Sequence, residues 1–268
     1  MISLASSPRL ADIRLHPVKA LDPVSVKEAR IGPHGGLEHD RVWALYSVDG
    51  QWVNGKRTAA VHLIRAVFAP DFGSVTLSVP ADNRKIPTKK FAFPGDTAGA
   101  SKWFSSFFEQ PVTVRHSPAG FPDDEVASGP TIISTASLLV VCELFKGIDL
   151  EEARQRFRTT LEIDGVPAFW EDQLFGQEER SAVRFRIGEV NFEGSNPCAR
   201  CPVPPRNPRS GEIIPGFQKT FSDYRRSHIP EWCPEARFDH YYRLATNTRV
   251  ASTESGRILR VGDALVLS

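Results

Sequence analysis

Six short apolar segments fall within the first eighty residues, and no gap between them is long enough to hold a helix. They read ADIRLHPV, SVKEARI, RVWALYSV, QWVNG, HLIRAVF and SVTLSV, rich in Val, Ile, Leu and aromatics and partly alternating. Asp22-Pro23, Gly35-Gly36, Asp49-Gly50, and Pro70-Asp71 with Gly73 separate them, the residue types that fix or free φ at turns. Asp49-Gly50, between RVWALYSV and QWV, predicts a tight hairpin. Parallel strands need crossovers of about a dozen residues or more. This spacing therefore predicts an antiparallel barrel or sandwich.

From Ser101 the period changes. In SKWFSSFFEQ the rings of Trp103, Phe104, Phe107 and Phe108 fall on one face of a helix. A strand, VTVRHS, follows. The stretch SPAGFPDDEVASGP, with its prolines and acids, reads as an exposed connection and places a boundary near residue 120. Beyond it, STASLLVVCELF predicts a buried helix capped by Ser134 or Thr135. LEEARQRF predicts a second, with Glu151 and Glu152 in the first turn, where the helix dipole favours them. TTLEID, AVRFRIGEVNF and GRILRVGDALVLS read as strands between long Pro/Gly-rich loops. The expected architecture is α+β and β-rich, divided at 1–120 and 121–268.

Charge excludes some partners. Thirty-three Lys+Arg against thirty-two Asp+Glu leave a net +1, so no global field recruits nucleic acid or an anionic membrane. No apolar run approaches a membrane span of about 18 residues, and MISLASSPRL lacks the pattern of a signal peptide. Four cysteines in 268 residues are too few for a disulfide framework. A soluble, cytoplasmic protein of a reducing compartment is expected.

Cys198-Ala199-Arg200-Cys201 is the sharpest local motif. A zinc site would want a second ligand pair, for which only Cys233 with His228 or His240 is available. A redox pair should open a helix, yet Pro202, Pro204 and Pro205 follow at once. A single thiolate ligating a soft or heavy metal centre remains open, as does a pair of inert loop thiols. Lys19, Arg41, Arg158 and Arg200 sit at the ends of predicted strands. They are either solvated surface charges or a convergent anion site, to which the helix opening Ser134-Thr135-Ala136-Ser137 could add N–H groups and hydroxyls. No GxGxxG after a strand, GxxxxGK[ST] or HExxH occurs. The seven histidines are scattered, and Glu171-Asp172 reads as structural.

Taken in order, these pieces resemble the MOSC-domain proteins that carry an N-terminal β-barrel extension. The extension is resembled through His16-Pro17-Val18-Lys19, Gly36-Leu37-Glu38-His39-Asp40-Arg41 and Val42-Trp43. The MOSC domain is resembled through Ser134-x-x-Ser137-Leu138, Arg156-Phe157-Arg158, Asp164-Gly165, Glu171-Asp172, Ile187-Gly188, Pro197-Cys198-Ala199-Arg200-Cys201 and Val261-Gly262-Asp263. The match runs from about residue 9 to the C-terminus. It implies a MOSC β-barrel with flanking helices behind the N-terminal barrel.

The resemblance also implies a molybdenum cofactor, a pterin dithiolene bearing a phosphate. In the amidoxime-reducing members the first cysteine of C-x-R-C ligates molybdenum, which maps onto Cys198. Their pterin and phosphate contacts map onto Lys19, Arg41, Ser134, Ser137 and Arg158, with Thr160 and Arg200 adjoining. One departure stands out: the family continues R-F-R-P-N, whereas this chain has Arg158-Thr159-Thr160, a hydroxyl in place of an amide. The implied activity is reduction of N-hydroxylated or N-oxide small molecules. With no nicotinamide or flavin fingerprint and no C-x4-C-x2-C cluster motif, electrons are expected from a separate ferredoxin-like protein, or a cytochrome with its reductase. Alternatives are sulfur transfer or carriage, as in the C-terminal part of molybdenum-cofactor sulfurases, and non-enzymatic cofactor binding. The pyridoxal-phosphate desulfurase domain of those sulfurases is expected to be absent, the two barrels filling the chain.

Overall fold

In the computed structural model, which describes residues 7–80, 86–124, 127–179 and 181–268, fifteen strands and four α-helices follow one another. The first half holds β1 (Arg9–Leu15), β2 (Val24–Val26), β3 (Glu28–Arg30), β4 (Trp43–Ser47), β5 (Arg65–Phe68), β6 (Ser74–Ser78), β7 (Lys89–Ala92), α1 (Thr97–Phe108) and β8 (Val112–His116). The second holds β9 (Ile132–Ser134), α2 (Thr135–Leu144), α3 (Leu150–Phe157), β10 (Leu161–Asp164), β11 (Val183–Ile187), β12 (Val190–Ala199), α4 (Phe217–Ser227), β13 (Arg243–Arg249), β14 (Ile258–Arg260) and β15 (Leu265–Leu267). The chain is β-rich, as its early segments predict. The hairpin at Asp49-Gly50 closes with Gly50 in the left-handed region (φ 69) and Ser47 N–H bonded to Gln51 O. Residues 1–6 and Glu125, parts of the expected first domain and connection, lie outside the described residues.

Eight strands form one sheet in the order β15-β11-β12-β13-β9-β10-β1-β2. It curls until Leu10 N–H reaches Asp263 O and Leu265 N–H reaches Pro8 O, each at 2.8 Å, so that β1 meets the segment leading into β15. This contact removes a long open edge. The β9–β10 pair is parallel, which obliges a crossover, and α2 with α3 supplies it. Leu10, Ile13, Ile163, Phe185, Ile187 and Phe192 fill the interior. Outside it α2, α3 and α4 pack through Leu138, Phe157, Phe217 and Phe221.

The second body is built mainly from residues 43–116, with Val18 and Leu21 in its core. Trp43, Phe91, Trp103, Phe104 and Phe107 are buried together, so α1 uses the face its ring spacing predicts, with Phe108 at its margin. Strand pairing crosses the boundary expected near residue 120. β1 pairs antiparallel with β10 inside the eight-stranded sheet, and β3 pairs with β14 in a separate two-stranded sheet, so residues 9–30 supply strands to the C-terminal part. Composition marks where a chain turns, but pairing between strands 150 residues apart is set by complementary buried faces. Helix α4 falls where only loops were expected. Its buried Phe217, Phe221 and Arg225 are spaced i, i+4, i+8, a helical stripe whose third member is charged and therefore escapes a search for apolar periodicity.

Candidate functional site

A cavity of about 690 Å³ opens between the two bodies, walled by the 32–42 segment, residues 118–124 and 127–131, the end of α3 and the end of β12. Lys19, Arg41, Arg158, Thr160, Cys198 and Arg200 all line it. Four cations and a thiol, scattered over 180 positions of sequence, therefore share one wall.

Cys198 owes its position to β12. The strand pairs Pro197 with Thr246 and Ala199 with Arg243, so Cys198 lies opposite a bulge of β13 made by Leu244 and Ala245, the latter at φ 75. Bulges re-aim a side chain while the flanking ladder holds the backbone. Arg200 Nη1 donates to Cys198 Sγ at 3.0 Å, while its other Nη bonds Phe157 O, tying thiol to helix end. Cys201 also lines the cavity. The motif sits at a strand end, not a helix start, and Cys233 is buried beside Asp172, away from it. His228 stacks on Tyr224 at 3.9 Å. The residues a zinc quartet would need are not assembled.

Both deep arginines stand in the left-handed region, Arg41 at φ 53 and Arg158 at φ 53, where non-glycine residues carry strain. Arg158 is the C-cap of α3, and its Nη2 donates to Leu21 O at 2.8 Å. Arg41 pairs with Asp40 and donates to Thr160 Oγ1 at 3.2 Å and Arg158 O at 3.1 Å. Thr160 thus holds Arg41 where the resembled family carries an amide. Lys19 Nζ donates to Phe121 O at 2.9 Å, pairs with Asp123 at 3.1 Å and lies 3.7 Å above the Trp52 ring.

Electrostatics show what the cavity lacks. Burial, then repulsion from Arg41, pushes Arg158 down to about 10. Burial also lowers Lys19 to about 8, with Asp123 opposing. For Arg41 burial is outweighed by Asp40 and Asp123, leaving it raised. His62, on the same wall, is held neutral at about 4 by burial and by Arg158, Arg206 and Arg65. Gly55 makes room for its ring: a Cβ there would stand 2.7 Å from His62 Nε2. Like charges gathered in a poorly solvated pocket are stabilised by an incoming anion.

Ser134 and Ser137 lie elsewhere. Both are fully buried and neither lines the cavity. Ser134 caps α2 through Ser137 N–H at 3.1 Å, its hydroxyl lies 2.8 Å from that of Ser137, and Ser137 Oγ accepts from Phe169 N–H at 2.6 Å. The helix opening expected to cradle an anion is closed by its own cap. Asp40, Asp123 and His62 complete the wall and were not foreseen; of these only Asp40, adjoining Arg41, had a sequence signal.

Glu171 is buried next to those serines. Burial, then the charge of Asp172, pushes its carboxyl up to about 7, with the Ser137 and Ser134 hydroxyls opposing. The native state therefore holds a proton that the unfolded chain releases near 4.5. Stability is expected to fall as pH rises from about 4.5 to 7, by about 3 kcal/mol in total, and to stay reduced above. Glu171→Gln removes this dependence, so urea unfolding at pH 5 and pH 8 should show the variant gaining on the native protein at pH 8. Parallel losses in both would refute it.

Comparison with known proteins finds the MOSC N-terminal beta barrel domain over residues 7–111 and the MOSC domain over residues 131–266. The molybdenum cofactor sulfurase of Drosophila yakuba is 26% identical over 249 residues, covering 83% of this chain and 31% of the sulfurase. The sulfurase of Danio rerio is 27% identical over 240 residues, covering 73% and 28%. Mitochondrial amidoxime-reducing component 1 of Danio rerio is 26% identical over 233 residues, covering 74% of this chain and 68% of that protein. The chain thus spans less than a third of the length of these sulfurases. Among the described residues no helix is long and apolar enough to cross a membrane.

Proposed function

The chain belongs to the MOSC-domain proteins that carry the MOSC N-terminal beta barrel domain, and from that premise we propose that it binds a molybdenum cofactor and reduces N-hydroxylated or N-oxide small molecules. The observation that carries this reading is the convergence of Cys198 with Lys19, Arg41, Arg158 and Arg200 on one cavity. The residues fit the group: a thiolate suits a sulfur-ligated molybdenum centre, and Arg158, a desolvated cation bonded to a carbonyl and not to a carboxylate, suits a phosphate. When bound, the cofactor supplies a two-electron couple and an acceptor for oxygen.

The chain's own residues have separate tasks. Cys198 is the metal-side ligand, its sulfur oriented by the Arg200 guanidinium. Arg158, Lys19 and Arg41 hold the anionic end. Asp40 and Thr160 fix the Arg41 guanidinium, and Asp123 with Trp52 fixes the Lys19 ammonium. In the net reaction one N–O bond breaks, two electrons and two protons enter, and the amine or amidine leaves with water. Electrons come from a separate redox protein.

Charge-assisted contacts to phosphate are worth about 1.5–3 kcal/mol each, roughly ten- to hundredfold in affinity. Arg158→Ala is expected to purify with a small fraction of native molybdenum and phosphorus, and Lys19→Ala and Arg41→Ala with reduced amounts. Undiminished content in all three variants would defeat the reading. Sulfur carriage is the second reading, favoured by Cys201 as a further thiol on the same cavity. Mass spectrometry of freshly purified protein separates them: a persulfide on either cysteine without stoichiometric molybdenum supports carriage.

A further inference from the structure

Beside Cys198 lies a polar wall to which the tasks above give no role. Asn196 stands two residues before Cys198 on β12, and both line the cavity. At about 3.3 Å per residue their Cα atoms are separated by roughly 7 Å, the span of one small molecule. Asn247 of β13 is the in-register partner of Asn196, so the two side chains are cross-strand neighbours. Asn247 lines the cavity too, although it is only 6% exposed.

Hydrogen-bond logic sets how these amides are turned. Asn247 Nδ2 lies 3.3 Å from Asp124 Oδ2. A carboxylate only accepts, so the amide turns its NH2 to Asp124 and leaves Oδ1 on the cavity side. The Ser195 hydroxyl stands 2.7 Å from Asn196 Oδ1 and 3.0 Å from Asn247 O. The single hydroxyl proton goes to the shorter contact, which occupies the carbonyl end of Asn196 and leaves its NH2 on the cavity side. Neither Asn247 Oδ1 nor Asn196 Nδ2 has a hydrogen-bond partner among the described residues. The strand leading to the thiol therefore presents one acceptor and one donor side by side, both uncharged.

We infer that Asn196 and Asn247 orient the substrate beside Cys198, with Asp124 as the positioning residue behind Asn247. The pair matches a small head group that carries an N–H or O–H donor as well as an acceptor, as an N-hydroxyamidine does. An N-oxide, which only accepts, leaves Asn247 Oδ1 desolvated and unpaired, and sites built this way discriminate strongly against the analogue lacking a donor. The inference rests on the reading of Cys198 as the metal-side thiol.

The test uses molybdenum-loaded protein with two probes, benzamidoxime and trimethylamine N-oxide. Calorimetry reads binding, and reduced viologen drives turnover. The native protein is expected to bind benzamidoxime and to prefer it over the N-oxide. Asn247→Leu and the less buried Asn196→Leu should each raise the benzamidoxime Kd and KM at least tenfold, with kcat and molybdenum content little changed. Asp124→Asn, which lets the Asn247 amide rotate, should raise KM by less. Unchanged Kd and KM in both leucine variants would overturn the inference, as would a native protein that binds neither probe. Loss of molybdenum with an unchanged KM in the loaded fraction would also overturn it, because the amides would then hold the cofactor. Binding that depends on both asparagines without any turnover would uphold the pair and bring down the reductase reading instead.

Discussion

Cys198→Ser is expected to cut molybdenum-dependent reduction by more than about 100-fold, while Cys201→Ser keeps most of it. A serine oxygen is a harder donor than sulfur and remains protonated at neutral pH, so it replaces the thiolate in shape but not in bonding. The two cysteines differ in position as well as order. Cys198 is held in the β12 ladder opposite the β13 bulge with Arg200 Nη1 at 3.0 Å, whereas Cys201 follows in the loop that runs into Pro202. Parallel metal analysis and reduction assays on both variants check this. Full activity in Cys198→Ser with loss in Cys201→Ser would reverse the assignment, and equal loss in both would point to a dithiol chemistry.

Arg225→Met is expected to cost about 3–5 kcal/mol of stability. Arg225 is fully buried in α4, and its Nη2 bonds Asp172 Oδ2 at 2.5 Å, with only 3% of the Asp172 side chain exposed. The guanidinium carbon lies 3.9 Å from the Phe169 ring centroid and 5.2 Å from that of Phe238, so aromatic faces flank it. Burial raises the Asp172 carboxyl pKa while Arg225 opposes it. Removing the arginine leaves an acid that must take a proton or stay charged without a partner. The double variant Arg225→Met/Asp172→Leu is expected to recover much of the loss, because a buried pair replaced as a unit is close to neutral. Urea unfolding at pH 7 measures both. A single-variant loss below about 1 kcal/mol would show that the pair does not anchor α4.

These two sites were unequally legible. Cys198 lies in a motif that local spacing marks, and its neighbours Pro197 and Arg200 are visible in the same few residues. The Asp172–Arg225 pair joins positions 53 apart in a helix that apolar periodicity alone does not reveal. Ser134 shows the converse: its cap on α2 was readable, because a hydroxyl three residues ahead of an N–H is a local geometry. That same cap, with the bond from Phe169 N–H to Ser137, turns the hydroxyls inward and away from the cavity. A residue can thus be correct for its helix and still stand apart from the site.

What the residues determine by themselves is short-ranged. The strands of the first eighty positions, the ring face of α1, the cap of α2, the acidic first turn of α3 and the order of the family's motifs all depend on neighbours a few positions apart, where φ/ψ preference and side-chain period act. Only the tertiary structure decided that β1 and β2 complete the C-terminal sheet while β3 pairs with β14, that Lys19 and Arg41 share a cavity with Cys198 across some 180 residues, and that Asn196 meets Asn247. Those outcomes depend on which distant strands share a register and which faces bury each other. The same convergence, by crowding cations where water is scarce, lowers the pKa values of Arg158, Lys19 and His62 and so gives the cavity its demand for an anion.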